Sequence, residues 1–222
     1  MTEAIAVDGN LDKPHAERMD RMYRYQRYIY DLTRKYYLLG RDETIRGLEV
    51  PAKGSVLEVG CGTGRNLLLV QKHFPDAQLF GLDISAEMLT SAKAKFEGSD
   101  HAPVLAVADA TAFTTDTFDV GGFDRVLISY ALSMIPDWQR ALDCAIAALS
   151  PNGSLHIVDF GQQERLPDWF SSILKRWLAR FHVTPRADLR AVLEQKAKAA
   201  GMTLEFSAPF RGYAWKAVLS HP

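Results

Sequence analysis

The stretch VLEVGCGTGRN, residues 56–66, places glycine at every second position directly after an apolar run. An apolar run that enters such a loop and continues as a helical pattern is typical of the first strand, turn and helix of a parallel α/β sheet. Gly60, Gly62 and Gly64 have no side chains, so a ligand can approach the loop backbone closely at these positions. The stretch therefore predicts both a fold class and a ligand site.

Strand and helix patterns alternate along the rest of the chain. Apolar runs predict strands near 54–59, 78–83, 103–108, 124–129 and 154–159. Helical periodicity is found near 64–74, 86–97, 137–149 and 186–200. The last two apolar runs, MTLEFSA and GYAWKAVLS, predict a closing hairpin. The pattern is that of an α/β fold with a doubly wound, mostly parallel seven-stranded sheet and an antiparallel terminal hairpin.

Composition narrows the setting of this fold. The 222 residues are 47% apolar and carry a formal net charge of −1, which predicts one soluble domain over 1–222 and no nucleic-acid partner. Cys61 and Cys144 show no metal-ligand spacing, so no metal site is predicted and a reducing cytoplasm is expected. The start MTEAIAVDGN lacks a signal pattern, and no stretch is long and apolar enough to cross a bilayer. Any membrane contact is therefore expected to be peripheral.

The glycine loop differs from the GxGxxG spacing of nicotinamide-binding proteins. Glu58 precedes the alternating glycines, and its carboxylate would repel a pyrophosphate but could bind the ammonium group of an amino-acid-bearing cofactor. The spacing favours S-adenosylmethionine over NAD. A purely structural alternative is that the glycines form only a tight turn.

Acidic residues also follow the second and third predicted strands. Asp83 could accept hydrogen bonds from both ribose hydroxyls, and Asp109 could accept one from the adenine amino group. The N–H of Ala110 could face a ring nitrogen. Met88 could lie on the adenine face, although core packing explains Met88 equally well. Open α/β sheets bind their ligands at the carboxyl ends of such strands.

The segments VLEVGCGTG, GLDIS, VADA and FDRVLISYAL, with the terminal hairpin, resemble the class I S-adenosylmethionine-dependent methyltransferases. The resemblance covers about residues 50–160 plus the hairpin, and it implies a Rossmann-like fold and S-adenosylmethionine as cofactor. The cofactor-binding residues that motif and resemblance together predict are Glu58, Gly60, Cys61, Gly62, Gly64, Asn66, Asp83, Ile84, Met88, Asp109, Ala110 and Ser129.

The predicted N-terminal helix near 13–39 is rich in tyrosine and arginine. One interpretation is a lid over the cofactor, in which tyrosine faces suit an amine that becomes a cation. Arg34 and Arg41 could then hold a carboxylate or a phosphate. The alternative is that the charged stripe is a solvated face.

A second unusual segment, LPDWFSSILKRWLARF, predicts an inserted amphipathic helix near 166–181. Its apolar residues, including two tryptophans, follow helical spacing, and Lys175, Arg176 and Arg180 supply cations. This combination predicts either a helix that packs on the domain core or an interfacial helix on an anionic membrane surface.

The outer segments MYRYQRYIYDLTRKYYLLGRD, SYALSMIPDW and WLARFHVTPR look like the bacterial N-methyltransferases that convert diacylglyceryl-homoserine to the betaine lipid diacylglyceryl-trimethylhomoserine. This resemblance implies a lipid substrate, three successive methylations, and a cytoplasmic enzyme that is peripheral at the inner face of the membrane. The candidate catalytic residues are Tyr30, Tyr130 and His182; Tyr30 and His182 could remove a proton from the amine, although a lone histidine is more often structural. The candidate substrate-binding residues are Arg34, Tyr37, Arg41, Ser133, Asp159 and Arg186, and the charge of the headgroup points to Arg41 or Arg186 for the homoserine carboxylate.

Three alternatives stay open at this stage. A phosphatidylethanolamine or other small-amine N-methyltransferase would have a similar core. A non-catalytic nucleotide- or lipid-binding module would keep every cofactor residue. An NAD-linked oxidoreductase would require pyrophosphate spacing after the first strand, which this sequence lacks.

Overall fold

The structure, a computed structural model, describes residues 38–181 and 183–222. The predicted helix near 13–39 lies outside these residues except for Leu38 and Leu39, and Leu39 belongs to a turn. Gly40, with a φ of 82°, ends that turn and precedes the first described helix.

Seven strands form one sheet in the order β3-β2-β1-β4-β5-β7-β6. The first five pair in parallel, and β7 runs antiparallel to both of its neighbours, β5 and β6. The strands are β1 (Ser55–Val59), β2 (Gln78–Asp83), β3 (Val104–Val107), β4 (Phe123–Ser129), β5 (Leu149–Phe160), β6 (Thr203–Ser207) and β7 (Ala214–Ser220). The predicted fold class and the terminal hairpin are confirmed.

The helices of the described residues are α1 (Arg41–Arg46), α2 (Arg65–His73), α3 (Ala86–Lys95), α4 (Trp138–Ala147), α5 (Asp168–Ala179), α6 (Leu189–Ala200) and the short, kinked α7 (Pro209–Gly212). A 3₁₀ turn covers Thr115–Phe118. Two helices begin at side-chain caps: Ser85 accepts from the Met88 N–H, and Asp137 accepts from the Arg140 N–H.

Burial follows from the position of each strand in the sheet. Central strand β1 is buried from Val56 to Val59 because helices cover both faces of the sheet. Edge strand β3, in contrast, leaves Val104 and Val107 exposed. The order of the strands also brings the carboxyl ends of β1, β2, β3 and β4 to one side, where the predicted ligand residues are placed.

Candidate functional site

A cavity of about 420 Å³ opens at the carboxyl ends of the parallel strands. Eight of the predicted site residues line it: Gly60, Gly62, Asp83, Ile84, Met88, Asp109, Ala110 and Tyr130. The other lining residues are Leu82, Ala108, Thr111, Ala131, Met134, Ile135, Pro136 and Asp137. Residues from four separate strand ends therefore meet around one volume.

The glycine loop has the left-handed backbone that its spacing suggested. Gly60, Gly62 and Gly64 have φ values of 72°, 52° and 72°, a region that other residues rarely adopt. A Cβ on Gly60 would lie 2.9 Å from the Cβ of Ala131, across the cavity lining. A Cβ on Gly64 would lie 3.0 Å from the Cβ of Ala92, so this glycine lets α3 pack against the loop. Glycine is thus required at both positions, for the close approach of the loop to Ala131 at one and for the packing of α3 at the other.

Asp83 ends β2 at the edge of the cavity, and two backbone groups fix its carboxylate. Its Oδ2 accepts from the Gly62 N–H at 2.8 Å, and its Oδ1 accepts from the Ser85 N–H at 2.9 Å. The carboxylate is therefore held in one orientation before any ligand binds. A fixed acceptor at this place suits a pair of ribose hydroxyls.

Glu58 and Asn66 lie beneath the loop and do not line the cavity. The Glu58 side chain is buried, and its Oε1 accepts from the Asn66 Nδ2 at 2.6 Å. The pair joins β1 to the first turn of α2, so it supports the loop from below. Cys61 is also buried, with its N–H donating to the carbonyl of Leu82 at 2.9 Å.

The third acidic residue, Asp109, forms a local turn. Its Oδ1 accepts from both the N–H and the Oγ1 of Thr111, each at 2.8 Å. This turn presents Ala110 and Thr111 to the cavity. Met88 lies opposite in α3, where it is buried and also lines the cavity, so its core-packing role and a role at a ligand face are compatible.

Tyr130 follows β4 at the other end of the cavity. It is a non-glycine residue with a φ of 54°, it is 2% exposed, and its hydroxyl donates to the carbonyl of Leu39. Burial and the nearby charges of Asp159 and Tyr213 raise the pKa of the Tyr130 phenol well above its ordinary value. The phenol is therefore protonated near neutral pH, which favours a binding role over proton acceptance.

Asp159 lies behind the cavity wall. Its carboxylate accepts from the N–H groups of Ser133 at 3.1 Å and Phe160 at 2.7 Å, and the side chain is buried. Burial raises the pKa of Asp159 to about 6, because the two hydrogen bonds only partly offset the desolvation of the charge. Ser129 and Ser133 are also buried and do not line the cavity.

Arg186 holds the segment after β4, whose residues 134–137 line the cavity together with Tyr130; this part of the wall is called the acceptor end. Its Nε donates to the Leu132 carbonyl at 3.0 Å and its Nη2 to the Ile135 carbonyl at 2.6 Å. The guanidinium lies 5.9 Å from the centroid of the Trp138 ring. Burial lowers the pKa of Arg186. Arg41 is buried in α1 beside Asp42, and neither arginine lines the cavity.

Comparison with known proteins identifies the region that carries this cavity. Residues 56–153 match the family description "Methyltransferase domain". This region is a class I methyltransferase domain. The demethylmenaquinone methyltransferase of Listeria welshimeri is 29% identical over 147 residues, which cover 65% of this chain and 61% of that protein. The chain thus spans about 61% of the length of that curated relative.

Solved structures agree with the methyltransferase domain in fold. A chain from the Haloferax volcanii complex of a methyltransferase activator and a methyltransferase superposes with a TM-score of 0.70, at 16% identity, covering 91% of this chain and 98% of that one. The phosphoethanolamine N-methyltransferase 2 of Haemonchus contortus was solved with phosphomonomethylethanolamine and S-adenosylhomocysteine. It superposes with a TM-score of 0.64 at 17% identity, covering 83% of this chain and 53% of that one. These findings support the predicted cofactor, S-adenosylmethionine.

The cavity of the methyltransferase domain fits that cofactor on its own chemistry. Gly60 and Gly62 bring the loop backbone to the cavity without side chains, the Asp83 carboxylate is fixed at the end of β2, and Ala110 and Thr111 line the wall after β3. When bound, S-adenosylmethionine would supply an electrophilic methyl group on a sulfonium.

Four predicted residues, Tyr30, Arg34, Tyr37 and His182, lie outside the described residues, and their roles stay predictions. Sequence reasoning did not assign Thr111 or Met134–Asp137, although the quoted segments VADATAF and SYALSMIPDW contain them. The DAT triplet could have indicated Thr111, because Asp commonly accepts from the residue two positions on. No helix of the described residues is long and apolar enough to cross a membrane.

Proposed function

We propose that the chain is an S-adenosylmethionine-dependent N-methyltransferase that methylates the amine of diacylglyceryl-homoserine three times and yields diacylglyceryl-trimethylhomoserine. The charge of the cavity wall is the observation that supports an amine as the acceptor group. Among the described residues that line it, the only acidic or basic residues are Asp83, Asp109 and Asp137. An acidic wall favours a cationic cofactor and an acceptor that becomes an ammonium.

The reaction requires alignment more than bond activation by the protein. The neutral amine lone pair attacks the sulfonium methyl carbon, a C–N bond forms, the C–S bond breaks, and S-adenosylhomocysteine leaves. Holding the two reactants in line contributes roughly 7–11 kcal/mol to lowering the barrier. The first two products must each lose a proton before the next transfer, whereas the third is a quaternary ammonium with no proton to lose.

The acceptor end offers groups that suit this sequence of charges. Tyr130 lines the cavity and its hydroxyl is held by the Leu39 carbonyl, so its ring rather than its hydroxyl is the group that could stabilise an alkylated ammonium ion. Met134, Ile135 and Pro136 make the rest of that end apolar, which helps to exclude water from the sulfonium.

The choice of homoserine rests on the resemblance of the outer segments to betaine-lipid N-methyltransferases. A second candidate is methylation of a quinone ring carbon, because several matched curated relatives are named demethylmenaquinone methyltransferase and one is named ubiquinone/menaquinone biosynthesis C-methyltransferase. A quinone is neutral and gains no stabilisation from an acidic wall.

The experiment is a methyl-transfer assay with labelled S-adenosylmethionine and detergent micelles that each contain one acceptor: diacylglyceryl-homoserine, phosphatidylethanolamine or a demethylmenaquinone. We expect label in the homoserine lipid and a mass gain of mono-, di- and trimethylated products. Asp83→Asn serves as the cofactor-site variant, and the exposed Asp76→Asn serves as its matched control. Label in only the quinone or only phosphatidylethanolamine would overturn the proposed acceptor.

A further inference from the structure

Helix α5 presents two large apolar side chains to solvent. Trp169 is 67% exposed and Ile173, one turn later, is 62% exposed. Leu174 and Leu178, on the other side of the helix, are buried in a cluster with Tyr130. The helix therefore has one face fixed on the domain and a second apolar surface that the described residues leave uncovered.

Cations surround this exposed pair. Arg176 and Arg180 follow Trp169 by seven and eleven residues, so they lie on the same side of the helix, and the exposed Lys175 lies at the margin of that side, about 100° around the helix from Arg176. None of the three forms an ion pair with any residue that the structure describes. Asp168 is the single acidic residue of α5.

The charge pattern discriminates between partners. A second copy of the chain, docked by a two-fold axis on the same face, would bring three cations against the same three cations. An anionic bilayer offers the opposite charge to the cations and an acyl boundary to the tryptophan and isoleucine. The charge complementarity favours the bilayer.

We infer that the face formed by Trp169, Ile173, Arg176 and Arg180, with Lys175 at its margin, docks on an anionic phospholipid surface. Trp169 and Ile173 enter the boundary between headgroups and acyl chains, and the cations contact the headgroups. The buried side of the same helix packs in one cluster with Tyr130, which lines the cavity, so docking places the acceptor end near the lipid. This inference rests on the proposed function, because membrane docking serves an enzyme whose acceptor is a lipid.

The structure also selects the residues to change. Trp177 is half-buried and packs on Phe181, with ring centroids 4.9 Å apart, so its replacement would disturb the fold. Trp169 and Ile173 can be replaced by serine with little loss of packing. The matched apolar control is Val104→Ser with Val107→Ser, since both valines are exposed on the far edge strand β3.

The experiment measures binding of the full chain to vesicles of equal parts phosphatidylglycerol and phosphatidylcholine, and to phosphatidylcholine alone. Wild type should prefer the anionic vesicles. The Trp169→Ser, Ile173→Ser double variant should bind roughly tenfold or more weakly. The Arg176→Gln, Arg180→Gln variant should bind about 30-fold more weakly to anionic vesicles only. The exposed pair Lys93→Gln, Lys198→Gln should change binding by less than about threefold.

Equal binding by wild type and the α5 variants would overturn the docking surface, as would an equal loss in the control variants. Failure of the proposed acceptor is read separately. Vesicle binding that depends on α5, together with no methylation of diacylglyceryl-homoserine in micelles, keeps the surface and removes the function. Methylation of diacylglyceryl-homoserine in micelles, together with no vesicle binding, keeps the proposed function and removes the docking surface.

Discussion

At the cofactor end of the cavity, the hydrogen-bond partners are close in sequence. Asp83 accepts from the N–H of Gly62, 21 residues away, and Asp109 accepts from the N–H of Thr111, 2 residues away. At the acceptor end, Arg186 reaches the Leu132 carbonyl across 54 positions. The first end is thus built from short motifs at strand ends, whereas the second is assembled by the completed fold. Substitutions at the two ends should consequently affect different quantities.

The backbones of the two ends differ in the same way. The cofactor loop takes its left-handed conformations with glycine, at little cost. On the acceptor side, Tyr130 lines the cavity and adopts a positive φ of 54° without being glycine, which costs about 1–2 kcal/mol. The surrounding contacts must offset that strain, so the acceptor end should be more sensitive to changes in packing.

The largest effect is expected for Gly161→Ala, after β5. A Cβ there would lie 2.2 Å from the backbone oxygen of Gly212 and 2.8 Å from the Trp215 ring, and neither group can move easily. We expect the free energy of unfolding to fall by about 3 kcal/mol. Chemical denaturation measures this loss. Gly121→Ala, with no atom within 4 Å of its added Cβ, should cost less than about 0.5 kcal/mol, and similar losses for both would refute the packing explanation.

The pH dependence of stability should come from two buried groups with opposite signs. Burial lowers the pKa of His156 to about 4, so the folded state binds fewer protons than the unfolded state between pH 4 and 6.5, and stability is lost as the pH falls. Burial raises the pKa of Asp159 to about 6, so stability is lost as the pH rises from its ordinary pKa of 3.8. The two trends should largely cancel in wild type between pH 4 and 6.

Asp159→Asn should reveal the His156 contribution. The free energy of unfolding of the variant, relative to wild type, should increase by about 2 kcal/mol from pH 4 to pH 7, because the penalty for burying the charge is removed. His156→Gln should show the opposite relative slope. Denaturation curves at several pH values measure both, and parallel curves for all three proteins would contradict the assignment.

Asp83→Asn should affect only the cofactor end. Loss of the negative charge should weaken S-adenosylmethionine binding by about 30-fold, because that factor corresponds to the loss of a hydrogen bond to a charged group. The KM for the acceptor should change little, because β1 separates the end of β2, where Asp83 lies, from the end of β4, which Tyr130 follows. Calorimetry and steady-state kinetics separate the two quantities, and a fall in acceptor affinity alone would contradict the division.

The smallest effects provide the sharpest test of the comparison. Lys95 donates from Nζ to the carbonyl and the Oγ1 of Thr63, at 2.9 and 2.8 Å, and so supports the glycine loop. Lys95→Met should raise the Kd for S-adenosylmethionine about tenfold and leave the acceptor KM unchanged. Arg186→Gln should raise the acceptor KM about tenfold and leave the cofactor Kd unchanged. If both variants changed the same constant, the two ends would not be independent.

The same contrast explains what the sequence could predict. The strands, the hairpin and the cofactor motif were predictable because they depend on local periodicity and on glycine spacing, as the φ values of Gly60–Gly64 illustrate. The structural role of Arg186 was not, because no local pattern indicates that its guanidinium binds carbonyls at Leu132 and Ile135. The amphipathic pattern of α5 predicted an apolar face, but only the packed fold distinguishes exposed Trp169 from half-buried Trp177.

The most direct test of the proposed activity is a competition assay. Diacylglyceryl-homoserine, phosphatidylethanolamine and a demethylmenaquinone are mixed in one micelle with methyl-deuterated S-adenosylmethionine, and the lipid products are identified by mass spectrometry. We predict deuterated methyl groups on the nitrogen of the homoserine lipid, up to the trimethylated form. Deuterium on the quinone ring, with an unmodified homoserine lipid, would contradict the proposal.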